Sequence, residues 1–503
     1  MDNNSKESSA LKAGMWWIRD SANPVLSPTG GKGDESHRCM NPWIVRVDDT
    51  YRLYYSAAAG DGFQRICLAT APVAAPTEWE RHGVVLDHGE EGAFDYRWVV
   101  LPNVVQTQEG WRLYYTGNRG FGEGLDAFAG IGLAVSSDGL RFERYSAEPV
   151  LGPSPRQGLP DCKGVAGGSV IELRDDAERS YWRFYYTGFP TLGTDLFLNQ
   201  QKVVCYAESY DGVQWDKKGA IMFRNPHRDY IDVAAAGPVV WRDDCVKYRM
   251  LLSAIGSRWG YYSICYAESD DGVHWRSGTN YGDDLVLGPR GDGWERQMVE
   301  YPTVCLEEWP GRVSKKRLRL FYCGNGYGQT GIGTAVEAPL RATGFSGTSH
   351  LQISAPEDDT RWLCQIPSAL RCADNELHLD NDPEALWKGP TGEGMIWYES
   401  DVSSPAIPDV RIRVLVKHRD FGLELKLTVI NNGMGPVPDL RGTICIEAET
   451  PGGGDGLKLT WDREVGPTPL EVSPDGANRT QFKIGLIEAG ETKSVVGRIS
   501  FNA

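Results

Sequence analysis

The chain has no apolar run long enough to span a membrane, and its first residues, MDNNSKESSALKAG, contain no apolar core of signal-peptide length. A cytoplasmic protein with no membrane partner is therefore expected. Positive charge is in deficit, with 52 Lys and Arg against 68 Asp and Glu and a net charge of −16. A nucleic-acid partner is excluded on that balance, because a phosphate backbone demands a basic footprint. The 11 cysteines include no Cys-x-x-Cys pair and no His/Cys cluster at zinc spacing, so no structural zinc is expected. Cys67, Cys205, Cys265, Cys305 and Cys323 sit inside apolar strands and read as buried reduced thiols. The glycine-rich stretch FYCGNGYGQTGIG at 321–333 is not followed by Gly-Lys-Ser/Thr, which excludes a phosphate loop and leaves a tight hairpin.

What the chain has instead is an aromatic strand that returns five times: YRLYYSA at 51–57, WRLYYTG at 111–117, WRFYYTG at 182–188, YRMLLSA at 248–254 and LRLFYCG at 318–324. The steps between starts are 60, 71, 66 and 70 residues. A short apolar strand precedes each one: NPWIV at 41–45, LPNVV at 101–105, GGSVI at 167–171, GPVVW at 237–241 and YPTVC at 301–305. A third strand follows, ending at Asp138-Gly139, Asp211-Gly212 and Asp271-Gly272 in three repeats, with Phe142, Trp215 and Trp275 just beyond and Trp79 in that place in the first repeat. Asp-Gly suits a hairpin turn because both residues tolerate positive φ. A fixed period of this size with strand content points to a radial array of four-stranded blades. The fifth repeat lacks an outer strand of its own. NPVLSP at 23–28 echoes EPVLGP at 148–153 and DLVLGP at 284–289, so residues near 15–28 are expected to close the ring and remove an exposed edge.

The remainder is also strand-rich. VRIRVLVKH at 410–418, LELKLTVINNG at 423–433, GTICIEAE at 442–449 and TKSVVGRISF at 492–501 alternate or read as strands, with no long helical period. The expected fold is all-β: a flexible N-terminus over 1–13, a five-bladed β-propeller over 14–340 and an antiparallel β-sandwich over 345–503. Trp362, Trp387 and Trp397 are expected in the sandwich core rather than on a sugar-stacking surface.

The blade grammar, an aromatic strand and then Asp-Gly-x-x-Trp, resembles the five-bladed propellers of glycoside hydrolase families 43 and 32 and their relatives in families 68, 117 and 130. It covers about two-thirds of the chain, and the trailing sandwich is similar to the domain order of family 32 and some family 43 enzymes. The resemblance implies three acids on the innermost strands: an Asp directly before Pro in the first blade, an Asp in a middle blade, and a Glu two residues before Pro. The match is partial. Asn41 stands before Pro42, Asn103 follows Leu101-Pro102, and Ala235-Ala236-Gly237-Pro238 has no Glu, while Glu300-Tyr301-Pro302 supplies one in the fifth blade.

A second regularity is an acid seven residues ahead of the inner-strand landmark, at Glu35, Asp95, Asp161 and Glu295, with Asp232 near that place in the fourth blade. A base follows in most blades: Arg38, Arg97, Lys163 and Arg296. Segments leading into innermost strands line a propeller's funnel, so these residues are expected either to face one pocket or to tie blades together as ion pairs. Glu300, Asp161 and Asp232, then Asp95, are the candidate catalytic carboxylates, two of them acting as acid and base across a glycosidic bond. Candidate substrate contacts are Asn41 and Asn103 for hydroxyls, Arg38, Arg97 and Lys163 for a carboxylate or phosphate, Glu35, His37, and Trp98 and Tyr301 as platforms. Ala234, Ala235, Ala236, Gly167 and Gly168 leave room beside them. No cofactor or metal is expected, with a calcium ion on the axis left open.

These readings lead to an intracellular glycoside hydrolase acting on a small furanosidic or anionic glycoside. The alternatives are a glycoside phosphorylase or transferase, a propeller that binds carbohydrate without turnover, and a non-hydrolytic sugar reaction. A small-molecule carbohydrate is the expected partner, and a homo-oligomer stays open.

Overall fold

A computed structural model describes residues 17–501 apart from 121–129, 192–200, 223, 243–246, 278–284, 291–292, 309–315, 339–340, 347–349, 355–360, 373–374, 379–385, 389–394, 405–406, 420–421, 449–456 and 462–477. The expected flexible segment 1–13 lies outside the described residues. Nearly every described element is a strand. The chain divides into two compact units, one of Arg19–Ser277 with Asp284–Val336, the other built mainly on Glu337–Ala503.

β1 (Trp17–Arg19), which enters the first unit at Arg19, belongs to a sheet far from it in sequence. Four-stranded antiparallel meanders follow in order. The first comprises β2 (Arg38–Val47), β3 (Thr50–Ala58), β4 (Gln64–Pro72) and β5 (Glu80–Leu86). The second comprises β6 (Trp98–Thr107), β7 (Gly110–Asn118), β8 (Gly130–Ser136) and β9 (Glu143–Arg144). The third comprises β10 (Val165–Arg174), β11 (Ser180–Gly188), β12 (Val203–Ser209) and β13 (Asp216–Met222). The fourth comprises β14 (Ala234–Arg242), β15 (Tyr248–Ile255), β16 (Tyr262–Ser269) and β17 (Arg276–Ser277), with β18 (Leu285–Leu287) also paired to β16. The fifth, β19 (Glu300–Glu308), β20 (Lys316–Cys323) and β21 (Ile332–Glu337), takes β1 as its fourth strand. Leu26 also bridges to Ile332, and the Asp20 amide donates to the Thr334 carbonyl at 3.0 Å. The first strands β2, β6, β10, β14 and β19 neighbour one another in a closed cycle. Each sheet is covered on both faces, which is why Tyr51, Leu53, Tyr54 and Tyr55 of one strand are all fully buried although alternate residues face opposite ways.

Each first strand breaks register with the second at the same place: between Met40 and Trp43, Val100 and Asn103, Ala166 and Ser169, Ala236 and Val239, and Glu300 and Thr303. The skipped pairs are Asn41-Pro42, Leu101-Pro102, Gly167-Gly168, Gly237-Pro238 and Tyr301-Pro302. Proline has no N–H to give the ladder and is found at such bulges. Asn41, Leu101, Gly237 and Tyr301 take positive φ there, between 48° and 56°. These pairs, with Trp43 and Val239, line a narrow axial cavity of about 20 Å³, room for a water and no more. The bulge amides are held by the preceding meander. Ser56 accepts from Leu101 N, Thr116 from Gly167 N, Thr187 from Gly237 N and Ser253 from Tyr301 N, at 2.7–3.0 Å.

The repeated arginine and tyrosine of the aromatic strand reach the Asp-Gly turn of the next meander. Arg52 and Tyr54 donate to the carbonyls of Asp138 and Gly139, Arg112 and Tyr114 to Asp211 and Gly212, and Arg183 and Tyr185 to Asp271 and Gly272, at 2.6–3.0 Å. Gly212 sits at φ 71°, and a Cβ there would press on Arg112 and Tyr114. Gly212→Ala is expected to lower stability by about 1–3 kcal/mol through backbone strain and a displaced Arg112, read as a fall in melting temperature.

The described residues of the second unit form two six-stranded sheets. One holds Arg341–Ser346, His350–Ser354, Arg361–Cys372, Asn375–His378, Val437–Ala448 and Asn478–Ile487. The other holds Leu386–Lys388, Met395–Ser404, Ile407–Arg419, Gly422–Asn431, Leu457–Trp461 and Thr492–Phe501. The side chains of Trp362, Trp387 and Trp397 lie outside the described ones. Leu423, Leu425, Leu427 and Val429 alternate into a buried face, as a half-buried strand requires.

Candidate active site

The acids ahead of the first strands do not pair with the bases that follow them in sequence. Each instead receives a tyrosine from the second strand and a base from the outermost strand of its own meander. Glu35 accepts from Tyr55 Oη at 2.7 Å and pairs with Arg81. Asp95 accepts from Tyr115 Oη at 2.9 Å and Arg144 Nε at 2.8 Å. Asp161 accepts from Tyr186 Oη at 2.9 Å and Lys217 Nζ at 2.5 Å. Glu295 accepts from Tyr322 Oη at 2.9 Å and lies 2.9 Å from Arg19 Nε on the closing strand. These are crosswise buckles, since each ties the lead-in of a meander to its far edge. The base stands two residues after an aromatic in every case: Trp79 and Arg81, Phe142 and Arg144, Trp215 and Lys217, Trp17 and Arg19. That spacing was visible in the sequence, but its meaning depended on a pairing register that the sequence alone does not supply.

The fourth meander has no such buckle. Ile231, Leu252 and Ser277 stand at the positions of acid, tyrosine and base, and Ile231 and Leu252 are packed in one apolar cluster. Asp232, one residue on, is half-buried and accepts from Ser257 N at 2.7 Å and Ser257 Oγ at 2.6 Å.

Glu300 departs from the repeat. It occupies the position just before the bulge, where the other meanders carry Met40, Val100, Ala166 and Ala236, and it is fully buried. Its Oε2 has no hydrogen-bond partner among the described residues, and its Oε1 lies 3.8 Å from Cys323 Sγ. Cys323 itself takes the place held by Ser56, Thr116, Thr187 and Ser253 in the other meanders. Burial pushes the Glu300 carboxyl well above its ordinary value, against the opposing pull of Lys202, Cys323 and Arg38. Lys202 is also buried and donates to Tyr262 Oη at 2.5 Å. Burial pushes its ammonium down to about 8, while the charge of Glu300 pulls the other way. Lys202 and Tyr262 occupy equivalent positions, three residues before Cys205 and Cys265 at the starts of β12 and β16. The Tyr262 ring meets those of Tyr301 at 5.7 Å and Tyr327 at 6.1 Å. Tyr327 lies in the tight turn Asn325–Gly328 with φ 55°. The small Ala234 and Ala236 pack beside Tyr262, and Ile255 and Met298 complete the apolar surround.

A buried carboxyl that burial pushes toward its protonated form, with one oxygen lacking a hydrogen-bond partner among the described residues, is equipped to act as a general acid. Of the sequence candidates, Tyr301 follows Glu300 in the chain, and the charge of Arg38 acts on the Glu300 carboxyl. Asp95 and Asp161 are held in their own meanders. Arg97 lies over the Phe63 ring at 4.7 Å, and Lys163 is exposed. His37 is exposed, with Ser36 Oγ 2.9 Å from its Nδ1. Trp98 donates to Gly62 O at 3.3 Å. Asn41 lines the axial cavity, and Asn103 is buried with both amide atoms lacking a partner among the described residues. Lys202, Tyr262, Tyr327 and Cys323 escaped sequence reasoning as site residues because they come from three different meanders. Among the described residues no three His, Cys, Asp or Glu side chains converge as metal ligands, and no helix is long and apolar enough to cross a membrane.

No family model matches the chain. Among solved structures it is similar to a glycoside hydrolase (17% identity, TM-score 0.49, covering 65% of this chain and 93% of that one). It is also similar to a thermostable family-43 glycoside hydrolase (18%, 0.44, 67% and 95%). A third is a protein of glycoside hydrolase family 130, a family of mannoside phosphorylases described as containing hydrolases that target β-1,2-mannosidic linkages in Candida mannan (15%, 0.46, 65% and 94%). Among curated proteins it is 32% identical over 322 residues to the uncharacterized protein Rv1502 of Mycobacterium tuberculosis strain H37Rv and, equally, to the uncharacterized protein MT1551 of strain CDC 1551. The alignment spans 62% of this chain and 96% of either relative, and the chain belongs to the family of these mycobacterial proteins.

Proposed function

We propose that the five meanders are the blades of a five-bladed propeller over 14–340, followed by a β-sandwich over 345–503, and that the protein is a carbohydrate-active enzyme cleaving a small glycoside. The observation that carries this reading is Glu300: a buried carboxyl with one unpartnered oxygen, at the only first-strand position of its kind not filled by an apolar residue. Glu300 gives its proton to the leaving-group oxygen as the glycosidic bond breaks. A second, ionised carboxylate then guides water, or acts as the nucleophile, on the opposite face of the sugar. Asp232 suits that part, since Ser257 supplies two donors to its oxygens and no base neutralises it among the described residues. Asp95 and Asp161 are already committed to a tyrosine and a base. Half-buried Tyr301 and Tyr327 offer ring faces for the sugar. The reaction so drawn uses no cofactor and takes place in the cytoplasm.

One observation favours a second reading. The Lys202–Tyr262 pair at 2.5 Å would serve to move a proton on carbon beside a carbonyl, a non-hydrolytic sugar reaction. Assay of the purified chain on aryl furanosides, aryl pyranosides and sugar phosphates, with and without inorganic phosphate, separates the readings. Release of the aryl group supports glycoside cleavage, and its dependence on phosphate separates phosphorolysis from hydrolysis. Conversion of a free sugar phosphate without aryl release would replace it with the second reading.

The pH dependence follows from the same two groups. Activity needing the Lys202 ammonium is expected to fall as pH rises past about 8, which a kcat/KM profile against pH measures. Stability moves the other way for this residue. From about 8 to 10.5 the unfolded chain binds a proton that the folded chain has given up, so the folded state gains as pH rises. For Glu300 the folded chain holds a proton that the unfolded chain loses near 4.5, so its contribution to stability declines as pH rises from there.

A further inference from the structure

The buckles free the basic residues that follow the acids. Arg38 and Lys163 form no ion pair among the described residues, and neither does Arg296, because Glu35, Asp161 and Glu295 are satisfied by Arg81, Lys217 and Arg19. Lys202 likewise has a phenol partner but, among the described residues, no carboxylate within ion-pair distance. Arg38 is close enough to Glu300 and Tyr327 for its charge to act on both, as Lys202's does on Glu300. The charges of two cations, from the first and third meanders, therefore act on one fully buried carboxyl whose Oε2 has no hydrogen-bond partner among the described residues. A buried ammonium without an ionised partner is costly, and the carboxyl that acts on Lys202, Glu300, is one whose ionised form burial disfavours. An anion bound there would balance the charge.

Resting on the reading of Glu300 as the acid of a carbohydrate-active site, we infer that the substrate is an acidic sugar whose oxyanion, a carboxylate or a phosphate ester, is held between Lys202 and Arg38. Lys163 and Arg296, both exposed in the lead-ins of their meanders, add attraction at the rim. Arg38 offers a fork for two oxygens, and Lys202 a single desolvated charge. Neutral sugars would leave both cations uncompensated, so discrimination lies in the pocket's own charge.

Calorimetric titration and thermal shift of the full chain with hexuronates, hexose phosphates, pentose phosphates, their neutral parent sugars and inorganic phosphate test this. At least one acidic sugar is expected to bind about ten-fold or more tightly than its neutral parent. That preference is expected to collapse in Lys202→Met and weaken in Arg38→Gln, whose half-exposed position keeps the test available where the first variant does not fold. Carboxylates alone or phosphate esters alone showing the preference identifies which oxyanion is used, and either supports the proposal. Equal binding of neutral parents, or a preference unchanged in both variants, overturns it. Neutral aryl-glycoside turnover that depends on Glu300 would then leave the enzymatic reading standing. Binding of inorganic phosphate with no sugar of either kind would support the oxyanion site and overturn the sugar. No response to any member of the panel overturns the proposal.

Discussion

Glu300→Gln is expected to cut glycoside turnover by about 10²–10⁴-fold, the usual worth of a positioned acid, while leaving substrate affinity and the melting temperature close to those of the native chain. Burial pushes the Glu300 carboxyl well above its ordinary value and so favours its neutral form, and the amide puts a neutral group of the same shape in the buried site. What is lost is the transferable proton. The effect therefore falls on kcat and on kcat/KM together. Asp95→Asn and Asp161→Asn provide the contrast. Each removes the charge from a buckle formed with a tyrosine and a base, so each should lower the melting temperature, with activity following the folded fraction. Steady-state kinetics and melting curves on the three variants decide the matter. A Glu300→Gln enzyme that keeps its rate would remove Glu300 from the chemistry.

The second large effect concerns closure of the ring. Glu295→Ala is expected to cost about 3–5 kcal/mol, because it strands the Arg19 guanidinium in a buried place without its counter-charge. Both partners are almost inaccessible, with side chains 3% and 4% exposed, whereas Arg81 and Arg144 in the corresponding pairs are 28% and 30% exposed and can turn to water. Glu35→Ala and Asp95→Ala should therefore be milder. Position adds to this, since Arg19 is carried by the strand that completes the last sheet from the far end of the chain, and its Nη2 also holds the Gly288 carbonyl at 2.7 Å. Denaturant unfolding of the three variants should rank Glu295→Ala as the least stable. A Glu295→Ala protein with an unchanged midpoint would mean that apolar packing alone closes the ring.

The fourth meander shows what the buckles are for by doing without one. Ile231 and Leu252 replace charge and phenol with apolar packing, a substitution that buried ion pairs commonly tolerate. Around it lie the small Ala234 and Ala236. Lys202 lies one strand away, its carbonyl accepting from the Ala235 amide at 3.2 Å. Removing bulk from the start of β14 leaves space for Lys202, Tyr262 and Tyr301 to meet around Glu300.

The amino-acid sequence by itself determined the repeat, the strand content of each repeat, the Asp-Gly turns and the need for residues near 15–28 to close the last sheet. These are local or periodic properties: strand alternation, turn chemistry and an unpaired edge are written in consecutive residues. Glu300 was legible through the resemblance to propeller glycoside hydrolases, which implies a Glu two residues before a proline. Only the tertiary structure decided who partners whom. Glu35 and Arg38 are three residues apart, yet the lead-in carries the acid to Tyr55 and Arg81, residues 20 and 46 positions away. Lys202 and Tyr262 are separated by 60 positions and meet at 2.5 Å because they start equivalent strands of adjacent sheets. A charge in an extended chain is satisfied by whatever the neighbouring strand presents at its register, and that register is set by packing across the whole ring rather than by spacing along the chain.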